Sequence, residues 1–487
     1  MDAQRRDVPQ DRALIDPAIG ATTNPVSGDR SREDFLRTLF RLFDEHKIRY
    51  CVLHSWEGVP EQLLSDLDLV VHPRDRARLP LVFNHLVERG YRPVQCLNYF
   101  VNAYYFVFLW SEGPAIRSVA VDIIFEHRRS GLIVPSGEDL ITNRQRQGIF
   151  WIPSPASEFV YLLAKKTWKR GAPARAANRL RALIEQLGRA QAERLAGQIF
   201  LGGSARKAVE ACVNRTVDGF LRKNGRRPWF TSLARNPLKL VGYLLTEGMR
   251  RLKRWFQPTG LFVVLLGPDG VGKGTVAKQL IEALGPAFRR HRIFHWRAMV
   301  IPPRSCEPVT DPHAHPARGA LGSVANAVVI VINNWLAYGL MIRPFLARSG
   351  LVIFDRYFQD MMVDPLRYRY SGPMWLVRFL SRFVPPSDPI FLILDADDEV
   401  ILSRKCEVGA AEVERQRASY QQLARVLDRA TLVKTNQPLG QTVAEASTFV
   451  IEHLAWRFRS RYNRFWLGLD KDYGTVACPH PKQEVLQ

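Results

Sequence analysis

The sequence predicts an α/β protein whose C-terminal half holds a parallel sheet with flanking helices, preceded by a helical connector and an N-terminal α+β domain. In the C-terminal half, apolar runs of strand length, such as 261–266, alternate with segments of helical spacing, such as 276–284. In the N-terminal half, short β-like runs alternate with helical patterns at 35–46 and 78–89. From about 154 to 246 the strand signals disappear, which predicts a helical segment.

The length of the chain supports a division into domains. A chain of 487 residues is too long for one ordinary hydrophobic core, so we expect two or three domains. With 46% hydrophobic and 24% charged residues, the composition is typical of a globular protein. The predicted segments are a flexible tail at 1–34, an α+β domain at 35–150, a helical domain at 151–246, a basic linker at 247–259, an α/β domain at 260–460 and a polar tail at 461–487.

Composition also limits the location and the partners. The six cysteines form no CxxC pair, which argues against a disulfide framework or a structural zinc and predicts reduced thiols in a cytoplasmic location. The formal net charge of +22 predicts anionic partners: a nucleotide or sugar phosphate, nucleic acid, or an acidic membrane surface. The apolar stretch 324–346 contains three asparagines and Arg343, so we expect a buried core helix there and no membrane span.

The segment 222–254 is strongly basic. It holds ten Lys or Arg residues and a single acid, Glu247, interleaved with Trp229, Phe230 and Tyr243. Two interpretations remain open: a solvated basic face, or a segment that lies on an anionic membrane surface.

Carboxylates mark the N-terminal half. Asp66 and Asp68 are two residues apart in a strand-like run, so their side chains share one face, and Asp122 lies in a second apolar strand. Three carboxylates on adjacent strands would form a site for Mg²⁺ at a nucleoside triphosphate. This D-x-D pattern with a third Asp resembles the nucleotidyltransferase superfamily over residues 35–127, although His54-Ser55 replaces the usual Gly-Ser turn. Both a catalytic domain and one that keeps its acids only for structure or binding fit this pattern.

A glycine-rich loop opens the C-terminal domain. The motif GPDGVGKGT follows the apolar run 261–266 and precedes a helical pattern, which is the context of a phosphate-binding loop (P-loop). Its backbone N–H groups and the helix N-terminus would surround phosphate oxygens, with Lys273 near the β and γ phosphates of ATP. Because Gly274 follows the lysine, Thr275 is the candidate hydroxyl ligand for Mg²⁺. The expected nucleotide-binding residues are Gly267, Asp269, Gly270, Gly272, Lys273, Gly274 and Thr275.

Two further strand-like runs end in carboxylates. The run 350–354 ends in Asp355-Arg356, at the edge of a parallel sheet where ligands bind. The run 389–394 ends in Asp395, and a basic cluster with Arg404 and Arg417 follows it.

These pieces together resemble the thymidylate kinase family over about 260–453. The matching segments are GPDGVGKGT, VIFDRYFQD, FLILDADDEVILSRK, ERQRASYQQLA and NQPLGQTVAEASTFVIEHL. The resemblance implies that Asp355 and Arg356 serve the metal and the phosphates and that Asp269 faces the acceptor. It also implies that a basic lid with Arg404 and Arg417 closes over ATP. Members of the family are commonly dimeric, so the resemblance implies a homodimer here.

The acceptor side departs from that family. The segment HWRAMVIPPRSCEPVTDPHAHPARG replaces the family's acidic acceptor motif, so the acceptor need not be dTMP. Arg297, Arg367 and Arg369 are candidates for gripping an anionic acceptor, because a guanidinium binds phosphate with two hydrogen bonds.

Two functional hypotheses follow. The first is an ATP- and Mg²⁺-dependent kinase of the nucleoside monophosphate kinase type. The second is a nucleotide-gated binding or regulatory protein that engages nucleic acid or an anionic membrane through its basic segment.

Overall fold

The computed structural model describes residues 30–129, 132–225, 227–296, 319–386, 388–404 and 409–465. The predicted tails at 1–34 and 461–487 lie mostly outside these residues. Their described ends are helical, because the first helix begins at Arg30 and the last ends at Phe465.

The N-terminal domain is built on a five-stranded mixed sheet. Its strand order is β1-β2-β5-β4-β3, with β2 and β5 parallel and the other pairs antiparallel. The short β-like runs of the N-terminal half form strands of this sheet. The elements are α1 (Arg30–Glu45), β1 (Tyr50–Val52), β2 (Leu67–Val71), α2 (Leu79–Glu88), β3 (Arg92–Phe100), β4 (Ala103–Glu112), β5 (Ala115–Ile124), β6 (Arg128–Arg129), β7 (Leu132–Ile133), α3 (Gly137–Ile141), β8 (Gln145–Gln147) and β9 (Phe150–Ile152).

Seven helices form the connector. They are α4 (Pro155–Lys169), α5 (Ala174–Leu187), α6 (Arg189–Ala196), α7 (Gly203–Val213), α8 (Val217–Asn224), α9 (Arg227–Arg235) and α10 (Pro237–Phe256). The sequence predicts a linker from 247, but α10 continues without a break to Phe256. Asn236 caps its first turn by accepting from the Lys239 amide, and Pro237 at the first helical position favours initiation.

The C-terminal domain is a parallel sheet of five strands covered by helices, as predicted. The strand order is β11-β12-β10-β13-β14. The elements are β10 (Leu261–Leu266), α11 (Lys273–Leu284), β11 (Arg290–His295), α12 (Ala320–Ala337), α13 (Arg343–Ala347), β12 (Gly350–Asp355), α14 (Met374–Ser381), β13 (Ile390–Asp395), α15 (Asp398–Arg404), α16 (Ala410–Val426), β14 (Ala430–Lys434) and α17 (Leu439–Phe465). This architecture is compatible with a P-loop kinase fold.

The central strand β10 is apolar at every position, as a sheet that is buried on both faces requires. Its residues alternate between two cores, with Leu261, Val263 and Leu265 on one side of the sheet. Phe262 and Val264 pack on the other side. A parallel strand covered by helices on both faces needs apolar side chains at every position, and the sequence LFVVLL supplies them.

The helical run from Ala320 to Ala347 is less buried than predicted. Its length of 28 residues and the mean hydropathy of 1.6 in its most apolar 18-residue window would allow it to cross a membrane. Only 39% of its most apolar window is buried. Ala327, Ile330 and Val331 pack on the sheet, whereas Leu321 and Trp335 are exposed. The helix therefore packs on the core with one face only, and the prediction of a buried helix holds for that face.

The two halves of the chain share a hydrophobic core. Val94, Val107 and Leu109 of the N-terminal sheet join the cluster formed by α11, α17 and one face of β10. Gln95 extends the contact, because its buried side-chain amide donates to Ser349 Oγ over 2.6 Å. On α17, the Arg457 guanidinium donates to the carbonyls of Gly260 and Thr259 at 2.8 and 2.9 Å.

Candidate active site

The glycine-rich loop between β10 and α11 has the backbone that the motif predicts. Gly267, Gly270 and Gly272 have φ values of +143°, +84° and +98°, a region that residues with a side chain rarely adopt. A Cβ on Gly267 would also lie 2.6 Å from the Leu394 carbonyl oxygen. The loop therefore has the curled path that turns successive N–H groups inward.

Lys273 is held within this loop. Its ammonium group is buried and donates to the carbonyls of Gly267 and Pro268, both at 2.8 Å. Burial and the neighbouring Arg356 lower the pKa of Lys273 to about 8. The Asp269 carboxylate lies 3.8 Å away and favours the charged form. An anion in the loop would stabilise the charged lysine further, so the site is suited to phosphate.

Asp269 binds two arginines. Arg356 donates to one of its oxygens and Arg367 to the other. Although burial opposes the charge, Arg356, Lys273 and Arg367 hold the pKa of Asp269 well below its usual range. These two contacts bring together three residues that the sequence singles out: Asp269 of the loop, and Arg356 and Arg367 of the segment after β12.

Asp355 lies at the C-terminal end of β12, opposite Leu265 of β10 in the sheet register. Its Oδ2 is 3.3 Å from the exposed His295 ring. Its Oδ1 is buried and has no hydrogen-bond partner among the described residues. Because a buried carboxylate oxygen without a partner is costly, this donor set fits a hard cation such as Mg²⁺. Thr275 lies exposed in the first turn of α11, next to the loop.

Sequence reasoning gave no role to Asp360, which organises the segment after β12. Asp360 is fully buried and accepts hydrogen bonds from the hydroxyls of Tyr368 and Tyr420. It also lies 3.4 Å from Arg356 Nε. Asp360 thereby fixes the arginine that reaches Asp269. Its proximity to the Asp-Arg pair in the segment VIFDRYFQD was the only signal for it in the sequence.

The two lid arginines have partners outside the loop. Arg417 donates to Asp395 and Asp398, at 2.8 and 2.6 Å, and Arg404 donates to the Thr435 carbonyl at 3.2 Å. These contacts place Arg417 at the C-terminal end of β13, whose Leu394 carbonyl borders the loop, and Arg404 beside the residue that follows β14. Residues 405–408, between the two arginines, lie outside the described part of the chain.

The other acceptor candidates are placed unevenly. Arg367 contacts Asp269, as described above. Arg369 follows in a left-handed conformation with φ +55°, and its carbonyl accepts from Ser323 Oγ at 3.5 Å. Arg297 lies outside the described residues.

A second cluster of carboxylates lies in the N-terminal sheet, where the sequence predicts it. Asp68 and Asp122 face each other in the parallel register of β2 and β5. Oxygen atoms of Asp66, Asp68 and Asp122 lie within 4.8 Å of one another. Burial and the Asp68 charge raise the pKa of Asp122 to about 8, and its buried Oδ1 has no hydrogen-bond partner among the described residues. Three converging carboxylates of this kind fit a divalent cation.

The connector supplies a cation to the same cluster. Lys165 of α4 donates to Asp68 Oδ1 at 2.8 Å, and His54 Nε2 lies 3.1 Å from Asp68 Oδ2. Although burial opposes the charge, Lys165 and His54 hold the pKa of Asp68 below its usual value. Tyr99 donates to Asp122 Oδ2.

Comparisons with known proteins support the kinase interpretation in its coarse form. No model of a known protein family matches the chain. A thymidylate kinase from Xanthomonas euvesicatoria pv. vesicatoria (strain 85-10) is 30% identical over 155 residues, covering 30% of this chain and 62% of that protein. A thymidylate kinase from Xanthomonas campestris pv. campestris (strain B100) is 27% identical over 219 residues, covering 42% of this chain and 88% of that protein. The solved thymidylate kinase from Ehrlichia chaffeensis covers 39% of this chain and 97% of its own, at 16% identity and a TM-score of 0.29.

The similarity is low in identity and partial in coverage. The chain spans 62% of the length of the first Xanthomonas relative. The relatives that the chain matches at this level are thymidylate kinases.

Proposed function

We propose that the C-terminal domain transfers the γ-phosphoryl group of ATP to a small anionic acceptor, which need not be dTMP. The observation that carries the proposal is the convergence of groups at the end of β10 and β12. A buried lysine lies within a glycine-rich loop, a buried carboxylate oxygen of Asp355 lacks a partner, and two arginines meet on Asp269. Phosphoryl transfer needs this combination of anion-binding backbone, positive charge and oxygen ligands for a metal.

Each group has a role in this proposal. The loop amides and Lys273 bind the phosphates of ATP. Asp355 and Thr275 would hold Mg²⁺, which when bound neutralises charge on the phosphate oxygens. Arg367 binds the anionic group of the acceptor and exchanges its contact with Asp269 for one with the acceptor. Arg356, fixed by Asp360, stays beside the transferred group.

The acceptor can be identified by a transfer screen. Purified protein, γ-labelled ATP and Mg²⁺ would be offered nucleoside monophosphates, sugars and sugar phosphates in parallel. We expect label in one anionic acceptor, and a raised KM for that acceptor in Arg367→Gln with little change in the KM for ATP. Arg348→Gln, a change close to β12 but outside the arginine cluster, is the matched control. Equal loss in both variants would contradict the role of Arg367.

The same screen separates the kinase from the regulatory alternative. A kinase consumes ATP quickly only when its acceptor is present. Slow ATP loss that no acceptor accelerates would instead support a nucleotide-gated protein. The homodimer stays a prediction in either case, and so does the cytoplasmic location.

For the N-terminal domain we propose a divalent cation site of the nucleotidyltransferase type at Asp66, Asp68 and Asp122. The support is the close approach of the three carboxylates together with the partnerless oxygen of Asp122. The contact of Lys165 with Asp68 leaves open whether the domain is catalytic or binds nucleotide only.

Two measurements on Asp66→Asn/Asp68→Asn separate these cases. Mn²⁺ binding followed by electron paramagnetic resonance should be lost in the double variant and kept in Asp44→Asn, a surface control. Nucleotide transfer from α-labelled triphosphates, present in the parent and lost in the double variant, would show catalysis. Unchanged Mn²⁺ binding in the double variant would contradict the cation site itself.

A further inference from the structure

Helix α10 carries its apolar face on the outside of the protein. Leu238, Val241, Leu245, Met249 and Leu252 follow one another at intervals of three or four residues, which places them on one stripe of the helix. All are exposed, with Leu238 at 82% and Leu245 and Met249 at 67%. A helix that packs on a soluble core normally buries such a stripe.

The inward face of α10 is short and mixed: it buries Leu240 and Tyr243 together with the charged Glu247. The Glu247 carboxylate accepts from the Val101 amide at 3.0 Å, and Arg250 donates to the Asn98 carbonyl at 2.7 Å. Near the end of the helix, Arg254 donates to the Ala347 carbonyl at 2.6 Å. These hydrogen bonds reach both halves of the chain, so they fix the rotation of α10 and hold its apolar stripe outward.

Cations flank the stripe. Lys239, Arg251 and Lys253 are exposed on α10, while the only acid of the helix, Glu247, points inward. The preceding helix α9 adds the exposed rings of Trp229 and Phe230. The exposed side of this helical pair therefore combines large apolar side chains with positive charge.

We propose that the outward face of α10, extended by α9, docks on the surface of an anionic lipid bilayer. Such a surface accepts apolar side chains between its headgroups and attracts cations beside them, which is the composition of this face. At about 1.5 Å per residue, the 20-residue helix would lie flat over roughly 30 Å of the interface. The proposal does not depend on the kinase activity.

Charge favours this occupant over two others. A second copy of a chain with a net charge of +22 would bring its own α10 cations against these, which disfavours pairing of α10 with itself. Nucleic acid would use the cations but would leave the apolar stripe in water. Only an anionic bilayer matches both components of the face.

The experiment is co-sedimentation of the full chain with vesicles. Phosphatidylcholine vesicles that contain phosphatidylglycerol are compared with vesicles of phosphatidylcholine alone, at low and high salt. We expect binding to the anionic vesicles that weakens as salt increases. Leu245→Glu/Met249→Glu should weaken this binding at least about 100-fold, because two inserted side chains become charged. Lys239→Gln, Arg251→Gln and Lys253→Gln should each weaken it about fivefold.

The control is Val426→Glu, which changes an apolar side chain that is 72% exposed on α16 and should leave binding unchanged. Circular dichroism and ATP binding verify that every variant is folded. Vesicle binding that survives Leu245→Glu/Met249→Glu would overturn the proposal. Two other results would overturn it as well. In the first, the parent does not bind vesicles but forms a dimer that Leu245→Glu/Met249→Glu dissociates. In the second, the parent does not bind vesicles but binds DNA, and the double variant still binds DNA.

Discussion

Replacing Gly267 with alanine tests the geometry of the loop through folding stability, separately from catalysis. The backbone of Gly267 has φ +143°, which costs a residue with a Cβ about 1–3 kcal/mol. The new Cβ would also lie 2.6 Å from the Leu394 carbonyl oxygen, so the loop or the end of β13 must move. Together the two effects should lower the free energy of unfolding of the C-terminal domain by about 3 kcal/mol or more.

Gly274→Ala is the matched control, seven residues further along the chain. Gly274 lies in the first turn of α11, and a Cβ there meets nothing within 4 Å. Alanine should therefore stabilise the ligand-free protein, by up to about 1 kcal/mol. Urea unfolding of the parent and both variants, followed by circular dichroism, gives the comparison. Equal stability of Gly267→Ala and the parent would refute the proposed reason for this glycine.

Two further predictions concern buried polar groups. Asp360→Ala should destabilise the protein by about 3–5 kcal/mol, because it removes the acceptor of the Tyr368 and Tyr420 hydroxyls and a partner of Arg356. Tyr420→Phe, which removes one of these donors, should cost about 1–2 kcal/mol in the same urea titration; equal losses would contradict the central role of Asp360. Burial lowers the pKa of His127 to about 3, so below its ordinary value near 6.5 the unfolded chain takes up a proton that the folded chain does not, and stability falls as the pH falls. Between pH 7 and pH 5 the free energy of unfolding of the parent should fall by about 2 kcal/mol more than that of His127→Gln. An equal fall in the parent and the variant would contradict this role of His127.

The parts of the site that local sequence determines could be predicted. The loop is a continuous motif whose glycines, lysine and flanking strand and helix are all adjacent in the sequence. Asp355 and Arg356 follow an apolar run that can only be a buried strand, and parallel strands place their C-terminal ends at one edge. Asp66 and Asp68 could be placed on one face by their spacing alone.

Features that depend on distant contacts could not be predicted. The bond between Tyr420 and Asp360 joins residues 60 positions apart, and nothing in either segment indicates it. Strand β3 contains the polar Gln95 within its run, which weakens the apolar pattern that indicates a buried strand. That glutamine is buried against Ser349 of the other half of the chain, so its polarity gave no sign of its burial.

Helix α10 shows a different limit. Its periodicity in the sequence is that of an amphipathic helix, and such a pattern cannot show which face points inward. The orientation depends on the hydrogen bonds of Glu247 and Arg250 with the N-terminal sheet, which no local pattern reveals. The same contacts explain why the helix continues through a segment that reads as a basic linker.

The central claim is that Lys273 and its loop catalyse transfer from ATP, and one assay tests it most directly. Transfer of label from γ-labelled ATP to the acceptor found in the screen would be measured for the parent, Lys273→Ala and Lys278→Ala. Lys278 lies exposed on the same helix, so its removal controls for the loss of a positive charge near the loop. We expect Lys273→Ala to reduce transfer by about 100-fold or more, with Lys278→Ala close to the parent. Full activity in a folded Lys273→Ala protein would contradict the assignment of catalysis to this loop.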